Sequence, residues 1–466
     1  MLPALAGLAW PAHLRGRAGS EAPAALPQPG QGSPAADVHA YWQAALERLV
    51  PRRPPNPRLG LAQAHYLAGV AGGYRAIFGG LNRYRVPAEA IDAQHGRVLP
   101  QFFPGDDSWW IERLRDAGVP QIAVLETDPA LPDSAVAGVA AQIAARHRPV
   151  AMILGNELNI DPGWYGSRAD PFRVIGEDER IRRYLEQWRA VHQAVKAIAP
   201  RIRLLFYGEA HYGDLYDGGR PVERAFLRRL VNACLLRGDP LPDGLVFHYY
   251  GPPWDLPQRA AQYVRFARET GIAVQVSCLE LGPLAPILDR EEEPLLRRRA
   301  ATRPGFESHY EELRAQGWLT EDEQAALVAH QLALAISTPC LAETCLFSAT
   351  DVPDDPQHTG LVGMRLGLYR PRPALEVFLF LQRLLNQLDG VELVPPAGND
   401  GVAELRIRRA DGLEARILWS EALPGEERAP QRQIFLAPLA VAFQADGTLL
   451  HPPQRDMAAL TLPGSS

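Results

Sequence analysis

Val150-Ala151-Met152-Ile153-Leu154 runs without a polar residue into Gly155-Asn156-Glu157-Leu158-Asn159. A run this short, apolar at every position and closed by glycine and polar residues, reads as a strand buried on both faces. The same unit recurs along the chain at Leu59–His65, Gln121–Glu126, Ile202–Tyr207, Leu245–Tyr249, Ala273–Leu279 and Glu343–Phe347. Longer stretches with helical spacing separate most of them: 109–117, 134–147, 180–199, 222–236, 257–270, 321–337 and 373–388. Strand alternating with helix implies parallel β/α units. Seven strands need an eighth to close a barrel. It is expected between His65 and Asp106, near Arg97–Phe103. A doubly wound sheet would instead carry a Gly-rich phosphate turn after its first strand. Gly72-Gly73 and Gly79-Gly80 form neither GxGxxG nor a P-loop. The expected fold class is therefore α/β, a (β/α)8 TIM barrel over residues 59–388.

The texture changes on either side of the barrel. Val402–Arg408, the turn Asp411-Gly412 and Leu413–Trp419 read as a β-hairpin. Gln433–Leu436, Ala440–Phe443 and Thr448–Leu450 continue as short strands, so residues 389–466 are expected to form a small all-β sandwich module. Residues 1–36, rich in Ala, Pro, Gly and Ser after an apolar start, read as a flexible segment. Residues 37–58 read as a helix from Val38 to Val50 with a Pro-rich linker after it. The apolar stretch Leu2 to Trp10 has no basic residue before it and makes a poor signal peptide, which leaves both export and a cytoplasmic location open.

Composition narrows the function classes. The chain has 466 residues, is 47% hydrophobic and 22% charged, and carries a formal net charge of −6. No overall positive field draws in nucleic acid. No apolar run approaches the ~18 residues that suggest a membrane span. Of 48 basic residues only Lys196 is lysine, and it falls in the middle of a helical pattern, so lysine Schiff-base chemistry is set aside. The cysteines Cys234, Cys278, Cys340 and Cys345 show neither CxxC nor zinc-ligand spacing. Buried free thiols are expected at 278, 340 and 345. Oligomeric state is open.

Barrel active sites form at the C-terminal ends of the strands. Two apolar strands there end in a carboxylate, Glu157 and Glu280, where packing gives no reason for one. Facing each other across a sugar, one carboxyl can protonate the leaving oxygen while the other attacks the anomeric carbon. The plainer alternative is a pair of strand-end salt bridges with arginine. His248 and Tyr250, two apart on the sixth-position strand, share one face. Trp164 and Trp254 are aromatics at the barrel mouth that can stack on sugar faces. His65, Glu126, Glu209 and His211 lie at or just past strand ends; His65 and Glu209 are taken as substrate-binding candidates. Asp351, Asp354 and Asp355 near His358 match no cation-loop spacing and read as a solvated acidic loop.

On these residues the chain resembles the clan A glycoside hydrolases, in particular members similar to families 39 and 5. Gly155-Asn156-Glu157 after the fourth-position strand looks like their acid/base motif, and Glu280-Leu281-Gly282 on the seventh like their nucleophile segment. Phe247-His248-Tyr249-Tyr250 resembles the sixth-strand motif whose aromatic hydroxyl contacts the nucleophile. Thr359-Gly360-Leu361-Val362, with Tyr369 to Leu375, is similar to the closing segment after the eighth strand. The resemblance implies retaining hydrolysis of an oligo- or polysaccharide, with Glu280 as nucleophile and Glu157 as acid, then base. It also implies that Asn156 binds the hydroxyl beside the anomeric carbon, and that no metal or other cofactor is needed. The chain departs from the clan where an aromatic, often Trp, ends the eighth strand: here the sequence is Phe347-Ser348-Ala349-Thr350-Asp351. The clan's early-strand arginine has no clear counterpart beside Glu126. A catalytically silent barrel that binds glycan through the same cleft is the alternative. A metal-dependent barrel hydrolase would call for a His-x-His strand end, which is missing.

Overall fold

The computed structural model describes residues 5–11, 59–62, 81–99, 109–116, 118–160, 166–167, 170–210, 215–217, 219–251, 255–282, 286–288, 318–338, 340–347, 351, 360–365, 368–384, 388–394, 402–409, 414–420, 432–436, 440–443, 449–451 and 458–462. Eight short runs become the strands of one parallel sheet: β1 (Leu59–Ala62), β2 (Leu81–Val86), β3 (Gln121–Leu125), β4 (Ala151–Leu154), β5 (Arg203–Leu205), β6 (Leu245–Tyr249), β7 (Val276–Leu281) and β8 (Leu341–Phe347). Neighbours in sequence are neighbours in space, and β1 pairs with both β2 and β8. Just past β5, the Glu209 N–H bonds Val246 O at 3.2 Å and Glu209 O accepts from His248 N–H at 2.8 Å, which closes the ring onto β6. The fold is a (β/α)8 barrel.

One strand lies elsewhere than expected. The second barrel strand is Leu81–Val86, whereas Arg97–Val98 forms a two-residue antiparallel ladder with Ile91–Asp92. Leu-Asn-Arg-Tyr-Arg-Val has no apolar run to announce it, because its inward positions near the barrel mouth are arginines. A strand with charged residues on its buried face breaks the pattern by which such strands are found.

Side chains fill the barrel in layers. Leu81, Ile122, Val124, Ala151, Ile153, Leu205, Val246, Leu279 and Cys345 form the dry middle, with Phe347 packed against it. Below them, at the strands' N-terminal ends, Glu343 pairs with Arg203 and accepts from the Ser277 hydroxyl. Above them lies the candidate site. The outer strand faces pack on helices α1 (Trp109–Asp116), α2 (Asp133–His147), α3 (Glu177–Ile198), α4 (Phe226–Arg237), α5 (Leu256–Thr270), α6 (Glu321–Ser337) and α7 (Pro373–Leu384). The Thr320–Glu323 capping box opens α6 as its sequence predicts. Helix α3 starts earlier than its apolar spacing, because Glu177, Asp178 and Glu179 add a first turn that suits the helix dipole.

Beyond α7 the described residues supply five strands of a six-stranded sheet, and a two-stranded ladder, Arg432–Leu436 with Ala458–Leu462. Leu5–Pro11, read from sequence as part of a flexible segment, is a strand of that sheet between Glu414–Ser420 and Ala440–Phe443. Its alternation was hidden among alanines and glycine. Among the described residues, no helix is long and apolar enough to cross a membrane.

Candidate active site

Glu280 is the penultimate residue of β7 and is 2% exposed. The register against β6 passes from Phe247↔Cys278 to His248↔Glu280, so Leu279 is an extra residue on β7. This bulge leaves Leu279 in the barrel interior and still turns Glu280 inward beside His248. Four groups surround the carboxylate. Arg83 Nη1 lies 2.7 Å from Oε1, and Arg85 donates to the same oxygen. The Tyr250 hydroxyl donates to Oε2, with His248 Nδ1 3.5 Å from that oxygen. Burial alone would raise the carboxyl's pKa. The Arg85, His248 and Arg83 charges and the Tyr250 hydrogen bond outweigh it and hold Glu280 well below the usual carboxylate range. Burial, with Glu280 and Glu157 nearby, drives the Tyr250 phenol well above its ordinary value, so it stays a donor.

Glu157 sits just beyond β4 with φ 45°, after Gly155 at φ 84°. A left-handed glutamate costs about 1–2 kcal/mol. The surroundings hold it there: its N–H bonds Gly208 O at 2.9 Å, and its Oε1 meets His248 Nδ1 at 2.7 Å. The turn sends its side chain over the barrel mouth, where it remains 21% exposed. One oxygen of Glu157, one oxygen of Glu280 and a ring nitrogen of His248 all lie within 4.8 Å of one another. Asn156 Oδ1 accepts from Arg83 Nη2 at 3.1 Å, which leaves its amide nitrogen turned the other way. The fully buried His248 ring lies against Gly208, where a Cβ would come 2.2 Å from Nε2. Only glycine admits the imidazole.

The cluster of Glu157, His248 and Glu280 has the reach of a three-ligand metal site. Its charge argues otherwise, because Glu280 already accepts from Arg85 and Tyr250 and pairs with Arg83, and a divalent cation there would face two guanidiniums. Proton transfer suits this arrangement better. It offers a buried, ionised carboxylate and, opposite it, a carboxyl in contact with solvent.

The sequence singles out Glu157, Glu280, Asn156, His248 and Tyr250 as candidates, and the fold brings all five together. Arg83 and Arg85 are not singled out. Their signal was the i, i+2 spacing of two arginines on one strand face. Arg85 also spans to Glu126 at 3.3 Å, so an arginine does stand beside that glutamate, supplied by the neighbouring strand. Glu209 faces the helices: it is 1% exposed, and the Tyr263 hydroxyl of α5 donates to its Oε2 at 2.6 Å. Asp351 is buried rather than solvated, paired with Arg372 Nη1 at 2.7 Å. Cys234, Cys278 and Cys345 are buried free thiols, and Cys340 is half-buried. His65, Trp164, Trp254, His211, Asp354, Asp355 and His358 lie outside the described residues.

Among solved structures, the chain is similar to a glucosidase from Croceicoccus marinus, at 15% identity over 87% of this chain and 82% of that one, with a TM-score of 0.54. It is also similar to the GH53 catalytic domain of Ignisphaera aggregans (15% identity, 71% and 97% covered, TM-score 0.44). A β-glucuronidase from Bacteroides uniformis gives 11% identity, with 88% and 46% covered and a TM-score of 0.43. No family model matches the chain, and no curated protein matches it in sequence. At this level of identity, the likeness to the Croceicoccus marinus protein is one of fold.

Proposed function

We propose that the chain is a retaining glycoside hydrolase that cleaves O-glycosidic bonds of an oligo- or polysaccharide by double displacement. The observation that carries this reading is that one oxygen of Glu157 and one of Glu280 lie within 4.8 Å of each other, a near approach that favours the closer of the two glycosidase geometries. Retaining enzymes hold their two carboxyl groups ~5–5.5 Å apart, whereas inverting ones leave ~6.5–9.5 Å for a water. Glu280 oxygen bonds to the anomeric carbon as the glycosidic C–O bond breaks, and the leaving oxygen takes the proton of Glu157. Water then gives a proton back to Glu157, its oxygen bonds to the anomeric carbon, and Glu280 departs as a carboxylate. Tyr250 and the two arginines favour that ionised form at the start and the end of the cycle. The Asn156 amide is assigned to the hydroxyl next to the anomeric carbon. Trp164, Trp254 and His65 are assigned to sugar binding around the mouth, and the strands after α7 to a small sandwich.

An aryl β-glycoside panel tests the reading. Wild type should cleave at least one member, Glu280→Ala none. In Glu157→Ala, azide should restore turnover and yield a β-glycosyl azide. Full activity in Glu280→Ala would sink the assignment. Glycan binding by a wild type that cleaves nothing would point instead to a silent barrel.

A further inference from the structure

Arg83 and Arg85 both reach Glu280, although one guanidinium suffices to balance one buried carboxylate. They occupy different depths. Arg83 is 1% exposed beneath the site, while Arg85 is 12% exposed at its mouth. Arg85 is held from two sides, by Glu280 across the barrel and by Glu126 at the end of the adjacent strand β3. The Glu126 backbone is fixed by its N–H bond to Val86 O at 2.9 Å, so the clamp is built into the β2–β3 ladder. Two guanidiniums and two carboxylates meet here. Without Glu126, Arg85 would keep Glu280 but lose the second carboxylate it contacts.

That difference matters to a nucleophile that must attack and later leave. A carboxylate gripped by two uncompensated cations attacks the anomeric carbon slowly and departs easily. We propose that Glu126 is a positioning residue that holds one arm of Arg85, divides its charge between two carboxylates, and so sets the balance between formation and breakdown of the glycosyl-enzyme. The inference rests on the retaining reading given above. Bonds and protons move as in that scheme, and Glu126 itself exchanges neither.

The test compares wild type, Glu126→Gln and Glu126→Asp on aryl glycosides, including a dinitrophenyl glycoside for which breakdown of the intermediate limits kcat. Glu126→Gln is expected to lower kcat/KM, which reads formation, about tenfold, while kcat on the dinitrophenyl substrate holds or rises. Glu126→Asp keeps the charge and should stay within about threefold of wild type in both parameters. A parallel fall of kcat and kcat/KM in Glu126→Gln, no change in either, or an equal loss in Glu126→Asp would overturn the proposal. Thermal unfolding gives a readout that needs no turnover. The Glu126→Gln, Glu280→Gln double variant should melt lower than the sum of the single effects, because the half-buried Arg85 then faces neither carboxylate. In an Arg85→Met background this excess should vanish; additive single effects in the wild-type background would refute the charge sharing. If wild type hydrolyses no glycoside, the retaining reading fails by itself, and the unfolding cycle still decides whether Glu126 and Glu280 share Arg85.

Discussion

At the residue scale, the site is governed by what each side chain does to Glu280. Buried at 2% exposure, that carboxylate would be expelled or neutralised without its partners. Tyr250→Phe removes one donor to it without changing shape. The loss of one hydrogen bond to a charged group is worth about 1.5–3 kcal/mol, so kcat/KM on an aryl glycoside should fall about 10–100-fold. Steady-state kinetics with an unchanged circular-dichroism spectrum would establish this; wild-type kcat/KM would show that the phenol is dispensable. Gly208 acts through the space it leaves. In Gly208→Ala, the new Cβ collides with His248 Nε2 at 2.2 Å, and the imidazole must swing off Glu157. A displacement of this kind can cost about a hundredfold in kcat, and a variant of unaltered turnover would show that the imidazole position is not critical.

At the element scale, the bulge on β7 and the turn after β4 aim the two glutamates, and the backbone of the segment after β5 holds both β4 and β6 in place. That segment contains Glu209, whose side chain leaves the site and enters the helix layer beside Tyr263 and Tyr207 of β5's extension, with Arg259 of α5 acting on it. Burial pushes its carboxyl up to about 7, the Tyr263 hydrogen bond opposing only in part. The folded chain then binds this proton more tightly than the unfolded chain does. Stability is greatest below an ordinary carboxyl pKa, falls as pH rises from about 4.5 to about 7, and stays reduced above that. The difference amounts to about 3 kcal/mol. Glu209→Gln should remove this slope, making melting temperature flatter between pH 5 and pH 8 and higher than wild type at pH 8. Parallel wild-type and variant profiles would show that Glu209 titrates normally. The elements themselves were legible to different degrees. Strands β3 to β8 announce themselves as apolar runs, whereas β2 does not, since its inward residues are Arg83 and Arg85. The site residue that the sequence hid and the strand that it hid are the same residues.

At the scale of the whole molecule, the segment after β8 is tied back by a buried ion pair. Arg372 Nη1 and Nη2 contact Asp351 at 2.7 and 2.9 Å, Gly360 O accepts from the same guanidinium at 2.6 Å, and Gly360 N–H donates to Asp351. This lock precedes α7, which packs on α6 and has Leu375, Phe378 and Leu381 buried in the core. Arg372→Met removes the guanidinium that Asp351 faces and should destabilise the fold by about 3–5 kcal/mol, whereas adding Asp351→Asn recovers much of the loss. Denaturant unfolding of the single and double variants measures it, and additive losses would show that the pair is not coupled. The sequence alone determined the parallel barrel, because apolar runs of strand length alternating with helical spacing can bury their faces only as parallel β/α units, but it placed neither β2 nor the strand Leu5–Pro11. It also marked Glu157 and Glu280, since a carboxylate that ends an apolar strand stands out in one dimension. The tertiary structure alone decided which charges meet. Arg83 and Arg85 reach Glu280 across the barrel, Glu209 turns outward, and Asp351 is buried. Pattern along a chain reports which surfaces must leave water, but a charge's partners lie on distant strands and are set by closure of the barrel.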